Sequence, residues 1–193
     1  MNHLSIAALI LLGGQSSRMG QDKAFVCYEG KPLLQRVDQA ARACSEKVYI
    51  VTPWPERYAT LLTEDYEVLL ERKPNQGPLV ALSQGLLEIP FEWILLLACD
   101  LPRLQPAIIQ RWQSCLTNVS ERVLAVVPQY QSRWEPLCGF YRRSAYSQLQ
   151  EFITLGGRSF QRWFTHIPVK PIELSEAESQ MLLNCNQPTD LKP

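Results

Sequence analysis

The stretch SIAALILLGGQSSRMGQDKA, Ser5 to Ala24, joins a continuous apolar run to a loop with three glycines, an arginine and a lysine. A short apolar run without alternation is typical of a strand that is buried on both faces. Glycines allow backbone N–H groups to approach an anion closely, and Arg18 and Lys23 supply positive charge. The stretch therefore predicts a buried strand followed by an anion-binding loop, the alternative being a flexible turn with incidental charges.

The same alternation of apolar runs and amphipathic stretches continues along the chain. It predicts an α/β fold, with a mostly parallel sheet covered by helices on both faces. The predicted strands after the first are KVYIVT, YEVLL, EWILLLACD, RVLAVVP and VKPIEL. Four of the predicted helices are PLLQRVDQAARAC, GPLVALSQGLLEI, QPAIIQRWQSCL and GGRSFQRWF. Three more are a short helix near Glu56 to Leu62, one that begins near Ser144 and a last one that begins at Pro188. Between RVLAVVP and Ser144, the segment QYQSRWEPLCGFYRRS predicts an edge or antiparallel strand.

Composition limits the class of protein. The 193 residues carry 19 basic and 19 acidic side chains, so we expect no global basic field and no nucleic-acid partner. The apolar run LSIAALILL is too short to span a bilayer, and we expect no membrane partner. The six cysteines form no CxxC pair and no zinc-like spacing with histidine, which favours free thiols in a cytoplasmic protein.

The glycine-rich loop fits neither of the two familiar phosphate motifs. A P-loop requires Lys directly after its last glycine, but Gly20 is followed by Gln21, and the GxGxxG spacing is absent. Its position is nevertheless typical, because ligands of open α/β sheets bind at the carboxyl ends of the strands. We therefore expect an anion site here.

Asp100 ends the most apolar run of the chain, EWILLLACD. A carboxylate at the end of a buried strand needs a metal, a hydrogen-bond donor or solvent. The alternative is a helix cap or a turn residue before Pro102. With a phosphate loop in the same sheet, Mg²⁺ is favoured, because it asks for only one or two protein carboxylates besides phosphate oxygens and water.

Several segments together resemble the molybdenum cofactor guanylyltransferases. LLGGQSSRMGQDKA resembles the LxGGxSxRMGxDK signature of nucleotidyltransferases that activate small molecules. The other matching segments, in the order of the family, are GKPLLQRV, GPLVAL, ACDLP, EPLCGFYRRS, GGRSF and LLNCNQPTDL. The resemblance implies one Rossmann-like, glycosyltransferase-A-like nucleotidyltransferase domain over residues 1–193, with a nucleotide-binding half over about 1–102 and a pterin-side half over about 103–193.

The resemblance also implies the reaction, which is transfer of GMP from GTP to the phosphate of molybdenum-molybdopterin with release of pyrophosphate. Mg²⁺ is the implied cofactor and Asp100 its ligand; Lys23, Arg18 and Asp100 are the implied catalytic residues. The implied nucleotide-binding residues are Leu11, Leu12, Gly13, Gly14, Lys23, Thr52, Glu71, Gly77 and Asp100, and the implied pterin-binding residues are Asn184, Asn186 and Arg158.

Two positions depart from the family pattern. Glu71 stands where an aspartate is usual, and Thr52 where many relatives have asparagine. The two histidines, His3 and His166, lie far apart in the sequence, which argues against a histidine base. The attacking phosphate monoester is largely ionised at neutral pH, so that it needs no general base.

Several alternatives remain open at this point. A cytidylyltransferase acting on the same pterin, or an enzyme that activates a sugar or alditol phosphate, would share the fold and the first loop. A nucleotide-binding module without catalysis is a further alternative. We also expect transient contact with cofactor-biosynthesis or molybdoenzyme-maturation proteins. Four aromatic side chains can either stack on a pterin or belong to the core, and helical spacing favours the core: Trp112, Phe160, Trp163 and Phe164.

Overall fold

A computed structural model describes residues 4–13, 22–61 and 66–185 of the chain. Its centre is an eight-stranded sheet with the strand order β10-β7-β9-β6-β1-β4-β5, and β8 pairs with β7. The strands are β1 (Ile6–Leu11), β4 (Lys47–Thr52), β5 (Glu67–Leu70), β6 (Trp93–Ala98), β7 (Ala125–Tyr130), β8 (Arg133–Trp134), β9 (Cys138–Arg142) and β10 (Val169–Glu173), while β2 (Cys27–Tyr28) and β3 (Lys31–Pro32) form a separate small hairpin. The pairings β5-β4-β1-β6 and β7-β10 are parallel, which confirms the predicted mostly parallel sheet.

Helices cover both faces of the sheet, as predicted. They are α1 (Leu33–Ala43), α2 (Pro78–Glu88), α3 (Pro106–Gln113), α4 (Tyr146–Thr154), α5 (Phe160–Trp163) and α6 (Glu176–Met181). Successive residues of a strand point to opposite faces, so Ala8 and Ile10 pack with α1 and α3, whereas Ala7 and Leu9 pack with α2, α4 and α5. Burial on both faces explains why β1 is a continuous apolar run.

The second apolar segment after Pro128 is antiparallel but not at an edge. β9 lies inside the sheet, antiparallel to both β6 and β7. A two-residue turn at Gln131 and Ser132, both with positive φ (47° and 64°), reverses the chain between β7 and β8. Of the two alternatives, the antiparallel strand is confirmed, while the edge strand is wrong because β9 pairs with a strand on each side.

One local prediction differs from the structure, one helix was not predicted, and one predicted helix is not tested. The helix expected near Glu56 to Leu62 is a 3₁₀ turn over Pro55–Tyr58, since a proline on each side of Trp54 limits the segment. Helix α6, which the sequence analysis missed, begins with a capping box formed by Ser175 and Glu178. The helix predicted from Pro188 lies outside the described residues.

The aromatic side chains weighed for pterin stacking belong to the core. The exposed fractions are 3% for Trp112, 6% for Phe160, 0% for Trp163 and 7% for Phe164, so none of the four presents a free face to a ligand. None of the six cysteines, all within the described residues, forms a disulfide bond. Within the described part of the chain, no helix is long and apolar enough to cross a membrane.

Candidate active site

Three strand ends define the site. β1, β4 and β6 are neighbours in the parallel part of the sheet, so their carboxyl ends meet at one edge. Leu11, the last residue of β1, lies opposite both Val51 and Ala98. The N–H of Leu12 donates to the carbonyl of Val51 (2.9 Å), which continues the strand pairing by one residue. The segments after these strands therefore form a single surface.

Lys23 and Asp100 form an ion pair on this surface. The Nζ of Lys23 lies 3.0 Å from Oδ2 of Asp100, and the two side chains are 19% and 17% exposed. Lys23 begins a 3₁₀ turn, Lys23–Phe25, and Asp100 follows β6 by two residues. The structure thus brings together two of the residues that the resemblance implies to be catalytic.

The second oxygen of Asp100 has the character of a metal ligand. Its Oδ1 is buried and accepts no hydrogen bond from any residue in the described ranges. A buried carboxylate oxygen without a donor is costly, and a cation removes that cost. No group of three or more His, Cys, Asp or Glu side chains able to hold a metal occurs among the residues described. This donor set fits Mg²⁺, which needs only one or two protein carboxylates when phosphate oxygens and water complete its shell.

Cys99, between the end of β6 and Asp100, does not compete for these roles. Burial, reinforced by the charge of Asp100, raises the pKa of the Cys99 thiol to about 12. The thiol therefore stays protonated at neutral pH, and a protonated thiol is a poor nucleophile.

A cavity of about 450 Å³ lies on the β4 and β5 side of the strand ends, and we call it the first cavity. Its volume is in the range of small-molecule sites. Its lining residues are Leu11, Leu12, Gly13, Val51, Pro53, Trp54, Glu71, Asn75, Gly77, Pro78 and Ala81. Five of the nucleotide-binding residues predicted from the sequence therefore meet here: Leu11, Leu12, Gly13, Glu71 and Gly77.

Glycine is required at two positions of the first cavity. A Cβ atom on Gly13 would lie 3.1 Å from Cδ of Pro53 and 3.2 Å from Oε2 of Glu71, closer than a relaxed contact allows. Gly77 has φ +87°, in the region that favours glycine, and directly precedes Pro78, the first residue of α2. Gly13 thus lets the chain pass close to Pro53 and Glu71 in the wall of the cavity, and Gly77 allows the backbone turn into α2.

Glu71 supplies the only carboxylate among the residues that line the first cavity. Its backbone N–H donates to the carbonyl of Thr52 (2.9 Å), which fixes the residue at the end of β5. Burial raises the pKa of its carboxyl group. Within the described residues no donor reaches its side-chain oxygens, so that the carboxylate can accept hydrogen bonds from a ligand.

Thr52 does not line the first cavity, contrary to the sequence prediction. Its side chain is fully buried, and Oγ1 accepts a hydrogen bond from the N–H of Trp54 (3.2 Å). Residues alternate in direction along a strand, so its neighbours Val51 and Pro53 reach the cavity while Thr52 points elsewhere. Thr52 shapes the turn that presents Trp54.

A second, smaller cavity of about 200 Å³ lies on the other side of Asp100. We call it the second cavity; its lining residues are Leu101, Arg133, Trp134, Glu135, Pro136, Leu137, Cys138, Gln161, Leu182 and Asn184. The segment with Asn184 is held near Asp100 because the N–H of Cys185 donates to the Asp100 carbonyl (2.9 Å). Burial raises the pKa of the Glu135 carboxyl group. The positive charge of Arg133 lowers the same pKa, but to a smaller extent.

Arg158 does not join Asn184. One guanidinium nitrogen donates to the carbonyls of Ile153 (2.9 Å) and Gly157 (2.7 Å), and the other lies 3.4 Å from Oε1 of Gln76. It therefore ties the end of α4 to the loop before Gly77. A guanidinium satisfies unpaired carbonyls at a helix C-terminus, which explains this position. The predicted pterin role of Arg158 is not supported by its place in the fold.

Three predicted site residues, Gly14, Arg18 and Asn186, lie outside the described residues. Conversely, the sequence analysis missed Trp54 and Asn75 in the first cavity and Trp134 and Glu135 in the second. Trp54, Asn75 and Trp134 sit in turns and in a short strand with no motif of their own, whereas Glu135 opens the EPLCGFYRRS segment, for which no role was predicted. Asn75 has φ +63°, a conformation that asparagine adopts more readily than most residues.

The comparison with protein families identifies the fold and site as a known type. The model of the MobA-like NTP transferase domain matches residues 8–170. The chain belongs to this family. The match includes β1, the first cavity, Lys23 and Asp100, and it ends in β10.

Relatives that are similar over nearly the whole chain have descriptions that agree with this family. A protein of a Nostoc species described as "Probable molybdenum cofactor guanylyltransferase" is 51% identical over 191 residues, which is 99% of this chain and 90% of the relative. A Trichormus variabilis protein with the same description is 50% identical, with the same coverage. These similarities and the family match make the chain a nucleotidyltransferase of the molybdenum cofactor guanylyltransferase group.

The solved structures agree on the fold. Molybdopterin-guanine dinucleotide biosynthesis protein A from Archaeoglobus fulgidus superimposes with a TM-score of 0.77, covering 96% of this chain and 94% of its own. The two sequences are 20% identical, so this likeness concerns the fold alone.

Proposed function

We propose that this MobA-like protein transfers GMP from GTP to the phosphate of molybdenum-molybdopterin, releasing pyrophosphate. The observation that carries the proposal is the Lys23–Asp100 pair at the strand ends, with a buried oxygen of Asp100 that lacks a donor and a cavity on each side. GTP would occupy the first cavity and the pterin the second. The α-phosphoryl group of GTP would then lie beside Lys23 and face the phosphate of the pterin.

In the reaction, an oxygen of the pterin phosphate forms a bond to the α-phosphorus of GTP while the bond from that phosphorus to the bridging oxygen of pyrophosphate breaks. The attacking monoester is largely dianionic at pH 7 and has no proton that a base must remove. The task of the protein is to align the two phosphates and to neutralise their charge. Lys23 places its ammonium where charge develops on the transferring group.

Asp100 would hold Mg²⁺ through Oδ1. When bound, the metal ion offsets charge on the phosphoryl group and on the pyrophosphate that leaves. Oδ2 of Asp100 meanwhile orients Lys23 through their ion pair. Arg18 precedes Lys23 in the same motif, and we propose that it adds charge to the triphosphate site, with Gly14 supplying a backbone N–H.

Glu71 gives a physical reason for guanine. The N1–H and N2–H₂ groups of guanine are adjacent donors, and a carboxylate can accept from both at once. Cytosine presents an acceptor at N3 beside its amino group, which a carboxylate would repel. Burial disfavours the charged form of the Glu71 side chain. Hydrogen bonds from the two guanine donors would offset this cost.

The second cavity suits a flat, polar ring system. Asn184 offers both a donor and an acceptor, and Trp134 supplies an aromatic wall whose ring is braced edge-on by Phe164 at 5.4 Å. The pyrimidine ring of a pterin carries an amino group, a ring N–H and a carbonyl oxygen in the same order as the pyrimidine ring of guanine. We propose that Asn184 and Asn186 bind it from the C-terminal segment.

The experiment is pyrophosphate release by the purified protein with Mg²⁺ and molybdenum-loaded molybdopterin, comparing GTP, CTP and ATP. We expect release with GTP and little with the other two. Preference for CTP would keep the fold and the chemistry but reject the guanine assignment. Binding of GTP without release would favour a nucleotide-binding module without catalysis.

The setting of the reaction is also a proposal. Six free thiols suit a reducing compartment, and we place the protein in the cytoplasm. Transient contacts with proteins that supply molybdopterin or receive the product would protect a labile cofactor, and co-purification under crosslinking would test for them.

A further inference from the structure

The carboxylate of Asp22, directly before Lys23, makes three contacts that the reaction proposed above does not use. Its Oδ1 accepts the N–H of Ala24 (3.1 Å), which caps the 3₁₀ turn Lys23–Phe25. Its Oδ2 accepts the O–H of Tyr58 (2.7 Å) and lies 3.4 Å from a guanidinium nitrogen of Arg57. Asp22 thus joins the turn that carries Lys23 to the segment after β4.

Tyr58 is a rigid anchor for this carboxylate. Its side chain is 1% exposed, and its ring stacks on that of Phe25 with the centroids 6.0 Å apart. Burial, together with the negative charge of Asp22, raises the pKa of the Tyr58 hydroxyl, which therefore stays a neutral donor throughout the physiological range. Both ends of the 3₁₀ turn, Asp22 before it and Phe25 within it, consequently rest on the same tyrosine.

Arg57 connects the same carboxylate to the first cavity. Its guanidinium lies over the ring of Trp54, 4.4 Å from the centroid, and Trp54 lines that cavity. A ligand that shifts Trp54 in the first cavity would therefore also shift Arg57, and through Arg57 it would shift the carboxylate of Asp22.

We infer that Asp22 and Tyr58 are positioning residues that hold Lys23 at the transferring phosphoryl group. The inference rests on the role proposed for Lys23 above. A three-residue 3₁₀ turn has too few internal hydrogen bonds to fix its own orientation. Displacement of a charge-stabilising group by about 1 Å can cost on the order of a hundredfold in rate. The part-buried Tyr58–Asp22 contact supplies a constraint on the turn, in addition to the ion pair between Lys23 and Asp100.

The first test is Tyr58→Phe, which removes the hydroxyl and keeps the ring that packs on Phe25. We expect kcat to fall about tenfold while KM for GTP stays close to wild type, since the displaced group, Lys23, is proposed to act on the transition state. The thermal midpoint Tm should fall by only about 2–4 °C, as expected for one lost hydrogen bond. Tyr130→Phe is the matched control, because the Tyr130 hydroxyl accepts only from its sequence neighbour Gln131 and should leave kcat unchanged.

The second test is Asp22→Ser, alone and combined with Tyr58→Phe. Serine is a good N-cap and keeps the contact to the Ala24 N–H, but it is too short to reach Tyr58 and Arg57. We expect the single variant to lose kcat to the same extent as Tyr58→Phe, and the double variant to lose no more than either alone, since both remove one interaction. Two losses that multiply in the double variant, or wild-type kcat in Tyr58→Phe, would overturn the inference.

The Lys23→Ala variant separates this inference from the proposed function. If Lys23→Ala keeps its activity, the role of Lys23 is wrong and the positioning inference falls with it. If Lys23→Ala is inactive while Asp22→Ser and Tyr58→Phe resemble wild type, the reaction stands and only the positioning inference is rejected.

Discussion

The two cavities beside Asp100 are built in different ways. The first is formed by segments that directly follow parallel strands, so that consecutive sequence motifs become its walls. The second combines the turn between β8 and β9, a residue of α5 and the C-terminal segment. The first therefore draws on segments at the ends of adjacent parallel strands, between residues 11 and 81, whereas the second draws on the antiparallel part of the sheet and the C-terminal segment, between residues 101 and 184. Substitutions in the shared centre and in each cavity should have separable effects.

The largest effect is expected at the centre, from Lys23→Ala. Loss of a charge-stabilising donor costs about 10²–10³ in rate, with the fold retained because the side chain is at the surface of the site. Turnover and the thermal midpoint should be measured together. The control is Lys47→Ala, which removes an exposed lysine paired with Glu67 at the opposite end of β4. A folded Lys23→Ala protein with normal turnover would contradict the central role of this residue.

Asp100→Asn should come next. The amide is nearly isosteric but carries no charge, so we expect a higher half-saturating Mg²⁺ concentration and a rate lower by about 10²-fold, within the range for loss of a metal ligand's contribution. Metal titrations at fixed GTP measure this effect. If the titration curve matches that of the wild type, the metal ligand lies elsewhere.

Glu71→Gln should affect the first cavity alone. We expect a loss of GTP preference over CTP of about tenfold, because one donor of guanine then faces an amide N–H₂. Its KM for molybdenum-molybdopterin should not change. A variant that keeps full preference for GTP would show that backbone groups, not Glu71, choose the base.

The pH dependence of GTP binding sharpens the same point. Burial raises the pKa of Glu71, so the folded protein protonates this carboxyl at a higher pH than an ordinary glutamate. As pH falls through that raised pKa, the carboxylate loses its charge and GTP binding should weaken. The Glu71→Gln variant should lack this weakening of GTP binding at low pH. Because the protonation of GTP itself is the same with both proteins, the difference between the pH profiles of GTP affinity for the wild type and for the variant isolates Glu71. Parallel profiles would refute the assignment.

The smallest effects are expected in the second cavity and near it. Asn184→Ala should raise KM for the pterin substrate about tenfold, a typical cost of one lost buried hydrogen bond, and leave KM for GTP alone. Arg158→Ala should leave the KM for the pterin unchanged and destabilise the fold by about 1 kcal/mol, because its hydrogen bonds go to the carbonyls of Ile153 and Gly157. Reversal of these two results would place the pterin near Arg158.

The sequence predicted the parts of the molecule that follow from the pattern of strands. The parallel sheet and both helical faces follow from the apolar runs, and the rule that strand ends share an edge puts Lys23 and Asp100, 77 residues apart, on one surface. The separation of Arg158 from Asn184 was not foreseeable, because each sits beside a suggestive motif and only packing decides which carbonyls a guanidinium reaches. The same holds for Thr52, whose direction depends on the register of β4, and for Tyr58, because no rule of strand ends brings its hydroxyl to Asp22.

The most direct test of the account follows the phosphorus atoms of GTP. The protein is incubated with Mg²⁺, molybdenum-loaded molybdopterin and GTP that carries radiolabelled phosphorus in either the α or the γ position. Attack at the α-phosphorus predicts that the α label appears in a guanine dinucleotide of the pterin and the γ label in pyrophosphate. Transfer of the γ label to the pterin, or its release as inorganic phosphate, would contradict GMP transfer at the Lys23–Asp100 centre.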